Sequence, residues 1–439
     1  MRGTRFSIVW KATLTIFCVA LFVRSTWAAD QETVIYSFSR YYSADGANPY
    51  GGVIFDAAGN LYGTTTSGGI SNQALRRYGT VFELSPSAGG GWTETVLHAF
   101  GMGTDGRYPR GSLVSDLAGN IYGTTQGGGI YGYGTVFELS PGAGGAWTEK
   151  VLYSFGNGTD GQDPIAGVIM DGAGNLYGTT AEGGIYNNCY DGLSCGTVFE
   201  LSPQAGGGWT EKVLYSFGDG TDGQNPWSGL IMDRVGNLYG TTAQGGIYNN
   251  CYEGLACGTV FELSPQGGGV WTETVLHSFG NGTDGQRPLV GVVMDGNGNL
   301  YGTTDSGGLY NNCDYGFGAG CGTVFKLSPM VGGGWAETVL HNFGNGMDGQ
   351  NPDACLIFDG AGNLYGTTTS GGVNSLGTVF ELSPAAGGDW METVLHSFGN
   401  GTDGVLPYAG VTLDASGNIY GTTSGGGIHA TGTVFEITP

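Results

Sequence analysis

Six cysteines in three close pairs are the residues whose type and spacing most invite chemistry: Cys189 with Cys195, Cys251 with Cys257, and Cys313 with Cys321. Paired thiols can exchange electrons, hold a metal or close a disulfide. Zinc favours shorter gaps, about two to four residues, and usually adds histidine. An oxidising compartment turns such pairs into disulfides, and three local disulfides are the expectation. Cys355 is expected to be a buried free thiol, and Cys18 falls in the N-terminal leader.

Four of the five histidines, His98, His277, His341 and His396, occupy one position of the pattern E-[TK]-V-[IL]-[HY], which Tyr36, Tyr153 and Tyr215 fill elsewhere. Tyrosine does not generally replace imidazole as a catalytic base or zinc ligand. The position therefore reads as a half-buried amphipathic ring, and neither a Ser-His-Asp triad nor a zinc cluster is expected. Asp-Gly loops such as GNGTDGQ (156–162) bring Asp, Asn and carbonyl groups together. They lack the alternating acidic ligands and distal Glu of a calcium loop. Turn structure is the expected role, weak calcium binding is the alternative, and no cofactor is expected.

These residues sit in a lattice. The string G-N-[LI]-Y-G-T-T recurs seven times, with asparagines Asn60, Asn120, Asn175, Asn237, Asn299, Asn363 and Asn418 at intervals of 60, 55, 62, 62, 64 and 55 residues. Each copy holds four short β-rich segments bounded by turn residues. In the third copy they are GVIMD (167–171), NLYGTT (175–180), GTVFELSP (196–203) and WTEKVLYSF (209–217). Four strands repeated seven times predict an all-β, seven-bladed β-propeller with four antiparallel strands per blade. We letter the strands A to D from the axis outward. Small residues fall where seven A strands crowd the axis: Gly52, Ser112, Gly167, Gly229, Gly291, Cys355 and Gly410. A lone D strand, ETVIYSF (32–38), precedes the first copy, and the seventh stops after strand C, GTVFEIT (432–438). Pairing the two closes the ring and covers two edges.

The 439-residue chain carries 14 Lys and Arg against 37 Asp and Glu, a formal charge of −23. Its first 28 residues combine a basic start, the apolar run ATLTIFCVALFV (12–23) and small residues before Ala29. They read as a secretory signal peptide cleaved after Ala28, leaving a propeller over 29–439. Loss of Arg2, Arg5, Lys11 and Arg24 takes the charge from −23 to −27. Such acidity argues against nucleic acid and anionic lipid as partners. No later segment approaches the roughly 20 apolar residues of a transmembrane helix. Most of the charge is scaffold. Aspartates of the A–B turns and D–A loops and glutamates of strands C and D make up 27 of the 37 acids.

The repeated pair NLYGTT…GTVFELSP resembles the GloVer tandem-repeat family of secreted bacterial proteins, also called choice-of-anchor proteins. The resemblance spans the mature chain. It implies an exported, propeller-like surface or secreted protein and carries no catalytic activity with it. This chain stops at Pro439, directly after strand C, without a hydrophobic tail or sorting motif. Release or periplasmic residence is therefore expected over anchoring.

Function usually lives in varied loops on a rigid scaffold. The A–B turns and C–D loops hardly vary, whereas the B–C loops hold 13, 8, 15, 15, 17, 8 and 8 residues. The long ones carry Tyr186, Tyr190, Tyr248, Tyr252 and Tyr310 among asparagines, which suits a neutral polar ligand such as a glycan or packs the loops on one another. A second variable position follows the proline before strand A: Tyr50, Arg110, Ile165, Trp227, Leu289, Asp353 and Tyr408. Propeller geometry places this ring at the mouth of the axial channel. Tyr50, Arg110, Trp227, Asp353 and Tyr408 are the expected lining of a pocket for a polar organic ligand. Two functional readings follow. One is a monomeric binding propeller for a glycan or cell-surface partner. The other is a lyase or hydrolase with Asp353 as base and Arg110 as charge stabiliser.

Overall fold

Each copy folds into a four-stranded antiparallel sheet, and the seven sheets form the blades of a propeller. The computed structural model describes residues 31–439 except 40–42, 70–77, 102, 188, 190–193, 250, 252–256 and 314–319. The leader, Tyr190 and Tyr252 thus lie outside the described residues. In blade 3 the strands are Ile169–Met170, Leu176–Thr180, Thr197–Pro203 and Trp209–Ser216. The ring closes as the sequence implies: Gln31–Ser37 pairs antiparallel with Thr433–Thr438 as the outer strand of blade 7.

Strand A is shorter than its apolar run suggests, pairing only two residues with strand B in every blade. The cause is crowding at the axis. A Cβ on Gly111 would lie 2.2 Å from the Gly167 nitrogen, and one on Gly167 would lie 2.1 Å from the Ser112 carbonyl oxygen. Neighbouring blades meet backbone to backbone at that seam, so a side chain at Gly111 or Gly167 would clash. Cys355 departs from its expected burial. Its surface is open to the axis, although surrounding protein still desolvates the thiol and raises its pKa.

The blades are bonded to one another by repeated residues. The first threonine of each NLYGTT segment reaches the next blade, as Thr179 Oγ1 donates to the Ser228 carbonyl and Thr422 Oγ1 to the Gly51 carbonyl across the closure. The second threonine pairs with the threonine opening strand C, as in Thr180 and Thr197 at 2.8 Å. Fully buried phenylalanines meet at the seams, for example Phe155 with Phe199 at 4.9 Å between ring centroids and Phe38 with Phe82 at 5.2 Å across the closure. In the A–B turn Asp171 accepts from the Ala173 and Asn175 amides, the Asn175 side chain and Tyr177, while Gly174 takes φ 83°.

A bulge shifts the register between strands C and D in every blade; in blade 3 it falls between Val198 and Phe199. Such a bulge re-aims the side chains beyond it. It explains the interchange of Tyr and His at the end of strand D. Tyr153 and Tyr215 donate to Asp160 and Asp222, and His98, His277, His341 and His396 pair through Nε2 with Asp105, Asp284, Asp348 and Asp403. What the position requires is a ring that can donate to a D–A loop carboxylate.

The disulfides form as expected: Cys189–Cys195, Cys251–Cys257 and Cys313–Cys321. All six cysteines are buried in the hydrophobic clusters beneath their loops. Closing so short a loop is worth about 2 kcal/mol, small against a core built from seven blades. Reduction should therefore speed chymotryptic cleavage near Tyr186, Tyr248 and Tyr310 while the far-UV circular dichroism of the sheet stays unchanged. Loss of the sheet signal on reduction would contradict this.

Candidate functional site at the axial mouth

Three residues per blade build the mouth, and the reading of the sequence identified one of them. The residue before the proline, Asn48, Tyr108, Asp163, Asn225, Arg287, Asn351 or Leu406, has φ between 54° and 60° in all seven blades. Few side chains tolerate this left-handed conformation, and a tyrosine, arginine or leucine there stores strain of about 1–3 kcal/mol, a feature common at binding sites. Two backbone hydrogen bonds hold it. Its amide donates to the end of the preceding blade's B–C loop, as Asn225 does to the Cys195 carbonyl. Its carbonyl accepts from the residue after NLYGTT, as Asn225 does from Ala243. In blades 4, 5 and 6 the preceding carbonyl belongs to Cys195, Cys257 and Cys321, so the disulfides brace the mouth. Both missed columns vary between copies as the post-proline column does, and that signal could have found them.

The predicted ring residues fall into three groups. Tyr408, Tyr50 and Arg110, from blades 7, 1 and 2, come together. The tyrosine rings stack at 4.9 Å, and the Arg110 guanidinium carbon lies 4.8 Å from the Tyr50 centroid. A pocket of about 300 Å³ opens beside them, lined by Asn48, Tyr50, Ser67, Tyr108, Arg110 and Gln126. Asp353 forms a second group with residues absent from the expected set. Its carboxylate accepts from Thr369 Oγ1 at 3.3 Å and lies beside Asp305, which pairs with Arg287 at 3.4 Å and accepts from the Asn351 side chain. Burial first, then the Asp305 charge, pushes the Asp353 carboxyl well above its usual range. Asp353 Oδ1 and Asn351 Oδ1 are buried there without hydrogen-bond partners among the described residues. The groups share one electrostatic neighbourhood. Burial raises the Tyr408 phenol, Asp353 and Asp305 raise it further, and Arg110 opposes them. Trp227 stands alone at 40 % exposure.

Tyr186, Tyr248 and Tyr310 are half-buried and pack on the clusters that contain the disulfides. A further groove of about 560 Å³ lies on the opposite face between blades 5 and 6, but Asp295, Tyr301, Asp359 and Trp390 in its lining are lattice residues found at other seams. The D–A loop carboxylates, the weak-calcium candidates, accept from their own loops; Asp160 takes the Gly156 and Asn157 amides. One seam brings ligand atoms of His98, Asp105 and Glu149 within 4.8 Å of one another, although Asp105 is already hydrogen-bonded to the Gly101 and Gly106 amides.

Fold and repeat together define a tandem-repeat propeller. The chain belongs to the Gloeobacter/Verrucomicrobia repeat family, whose model matches residues 20–252, 150–329 and 255–439. No curated protein matches it. Among solved structures it is similar to a Bacteroides uniformis protein provisionally named a 6-phosphogluconolactonase. The TM-score is 0.50 at 13% identity, covering 82% of this chain and 88% of that one. At that identity the likeness concerns the fold alone. Among the described residues no helix is long and apolar enough to cross a membrane.

Proposed function

We propose that the chain is an exported, monomeric binding propeller, secreted or periplasmic, that takes a polar ligand such as a glycan or a cell-surface partner at the axial mouth. The observation that carries this reading is the Tyr408–Tyr50–Arg110 stack, drawn from three blades at a column the lattice leaves free to vary. Strained residues beside it support the same place. Export is supported by the signal-like leader and by disulfides, which persist in oxidising compartments. The enzyme alternative requires Asp353 as a base, yet its buried position beside Asp305 favours the protonated acid.

A glycan-array and metabolite screen of the mature protein tests the reading. Tyr50→Ala and Tyr408→Ala should each weaken a hit about tenfold, the worth of one aromatic contact near 1.4 kcal/mol. Hits that both variants retain at full strength would place the ligand elsewhere.

A further inference from the structure

Arg110 is conspicuous for what it lacks. The chain carries 37 acidic residues, yet among the described residues none pairs with this guanidinium. Arg287, by contrast, is neutralised by Asp305. Lys150 and Lys212 are tied to carbonyls of neighbouring C–D loops. Arg110 makes a face contact with Tyr50, which is itself backed by Tyr408. Stacking of this kind occupies the face of a guanidinium and leaves its N–H edge available, in a fork that matches a carboxylate or phosphate. No hydrogen bond from Arg110 to a described residue uses those donors, and the side chain lines the 300 Å³ pocket.

We infer that the ligand of this pocket is an acidic sugar, a hexuronate unit whose carboxylate is bound by the edge of Arg110; this rests on the binding reading above. The pocket is at the small end of ligand sites, with room for about one sugar ring. Its other walls suit the rest of such a unit. Tyr108, 42 % exposed, offers an aromatic surface for a pyranose face, and Asn48, Ser67 and Gln126 offer amide and hydroxyl groups to its hydroxyls. A carboxylate fits better than a phosphate. One cation serves the pocket, and the negative field of the whole molecule opposes a dianion more strongly than a monoanion. Tyr50 is then a positioning residue, because it orients the guanidinium.

Calorimetry on the disulfide-bonded mature protein tests this with methyl galacturonide, the matching neutral methyl galactoside and inorganic phosphate. The galacturonide should bind at least about tenfold more tightly than the neutral galactoside and weaken as salt is raised. Arg110→Gln should remove that advantage, and Arg110→Lys should restore only part of it. Tyr50→Leu should weaken the uronate more than the neutral galactoside. Equal affinity for both sugars, or full uronate binding by Arg110→Gln, overturns the carboxylate inference. If the Tyr408 variant still loses binding in that case, the mouth reading survives. Displacement of the uronate by equimolar phosphate would also overturn it, in favour of a phosphate ligand, and absence of binding by either sugar counts against it. The salt dependence of the unaltered protein keeps the test decisive if a variant misfolds.

Discussion

The protein should unfold at a lower temperature at about pH 8 than at about pH 5, the reverse of what an ordinary carboxylate-rich surface gives. The cause is a ring of glutamates in strand D, one at each seam. Glu32, Glu94, Glu149, Glu211, Glu273, Glu337 and Glu392 each have an Oε1 buried without a hydrogen-bond partner among the described residues. Each faces the D–A loop aspartate at the seam with the preceding blade, as Glu211 faces Asp160 and Glu273 faces Asp222. Burial first, and the aspartate second, pushes Glu211 and Glu273 from the ordinary 4.5 up to about 7. At histidine seams the ring offsets part of this, as His98 does for Glu149. Between 4.5 and about 7 the folded state holds protons that the unfolded chain has released. Stability therefore falls as pH rises through this window and levels off above it. These side chains are partly exposed, so solvent screening leaves each worth on the order of 1 kcal/mol; seven together are large. The turn aspartates set the acid limit. Burial alone would raise Asp171, but hydrogen bonds from Asn175, Ala173 and Tyr177 outweigh it and hold its pKa below the usual range. That stability is lost as pH falls through the depressed value, so the optimum lies between the two windows. Differential scanning calorimetry should show the transition temperature falling from about pH 5 to about pH 8, and Glu211→Gln should regain about 1–3 °C at the higher pH alone. A flat or rising profile would remove the glutamate ring as the cause.

Much of the scaffold was legible because it repeats. β-rich segments bounded by turn residues marked strands B to D, and the unpaired segments at the two ends gave the closure between Gln31–Ser37 and Thr433–Thr438. The D-x-x-G-N turns could be read because both partners lie within one copy, as Asp171 and Asn175 do. What was hidden depends on contacts between copies. Nothing local announces that Thr179 bonds across to Ser228, that Glu211 faces Asp160, or that Asn225 is held left-handed by Cys195. Strand A was over-read because its apolar run describes burial, whereas pairing is limited by the crowding of seven strands at the axis. At the mouth, variability identified Tyr50, Arg110 and Tyr408, but not Asp305 or Arg287, which complete the charge around Asp353. The loop tyrosines admitted two readings in sequence, ligand contact or packing of the long loops, and Tyr186, Tyr248 and Tyr310 do pack on the disulfide clusters.

Removing residues 31–38 should cost more than any single substitution, because it opens the ring at its only non-covalent closure within a blade. The segment supplies the outer strand of blade 7 and Phe38, which is fully buried against Phe82 of blade 1. It also supplies the Phe38 carbonyl, which accepts from the Thr431 hydroxyl, and Tyr36, which donates to Asp45. Phe38→Ala alone should cost about 3–5 kcal/mol, as should Phe199→Ala at an interior seam. The two differ in what else can follow. At the interior seam strands C and D remain joined through their loop, so the blade stays paired. Without residues 31–38, Thr433–Thr438 becomes a bare edge, a template for pairing with another chain. The truncated protein should therefore show a lower transition temperature and concentration-dependent association beyond that of the parent by analytical ultracentrifugation, whereas Phe199→Ala should keep the parent's association state. Supplying the strand as a separate peptide of residues 31–38 should reverse the added association and restore part of the lost stability. A truncated chain that associates no more than the parent and is as stable would mean that seam contacts such as Thr422 with Gly51 hold the ring without the closing strand.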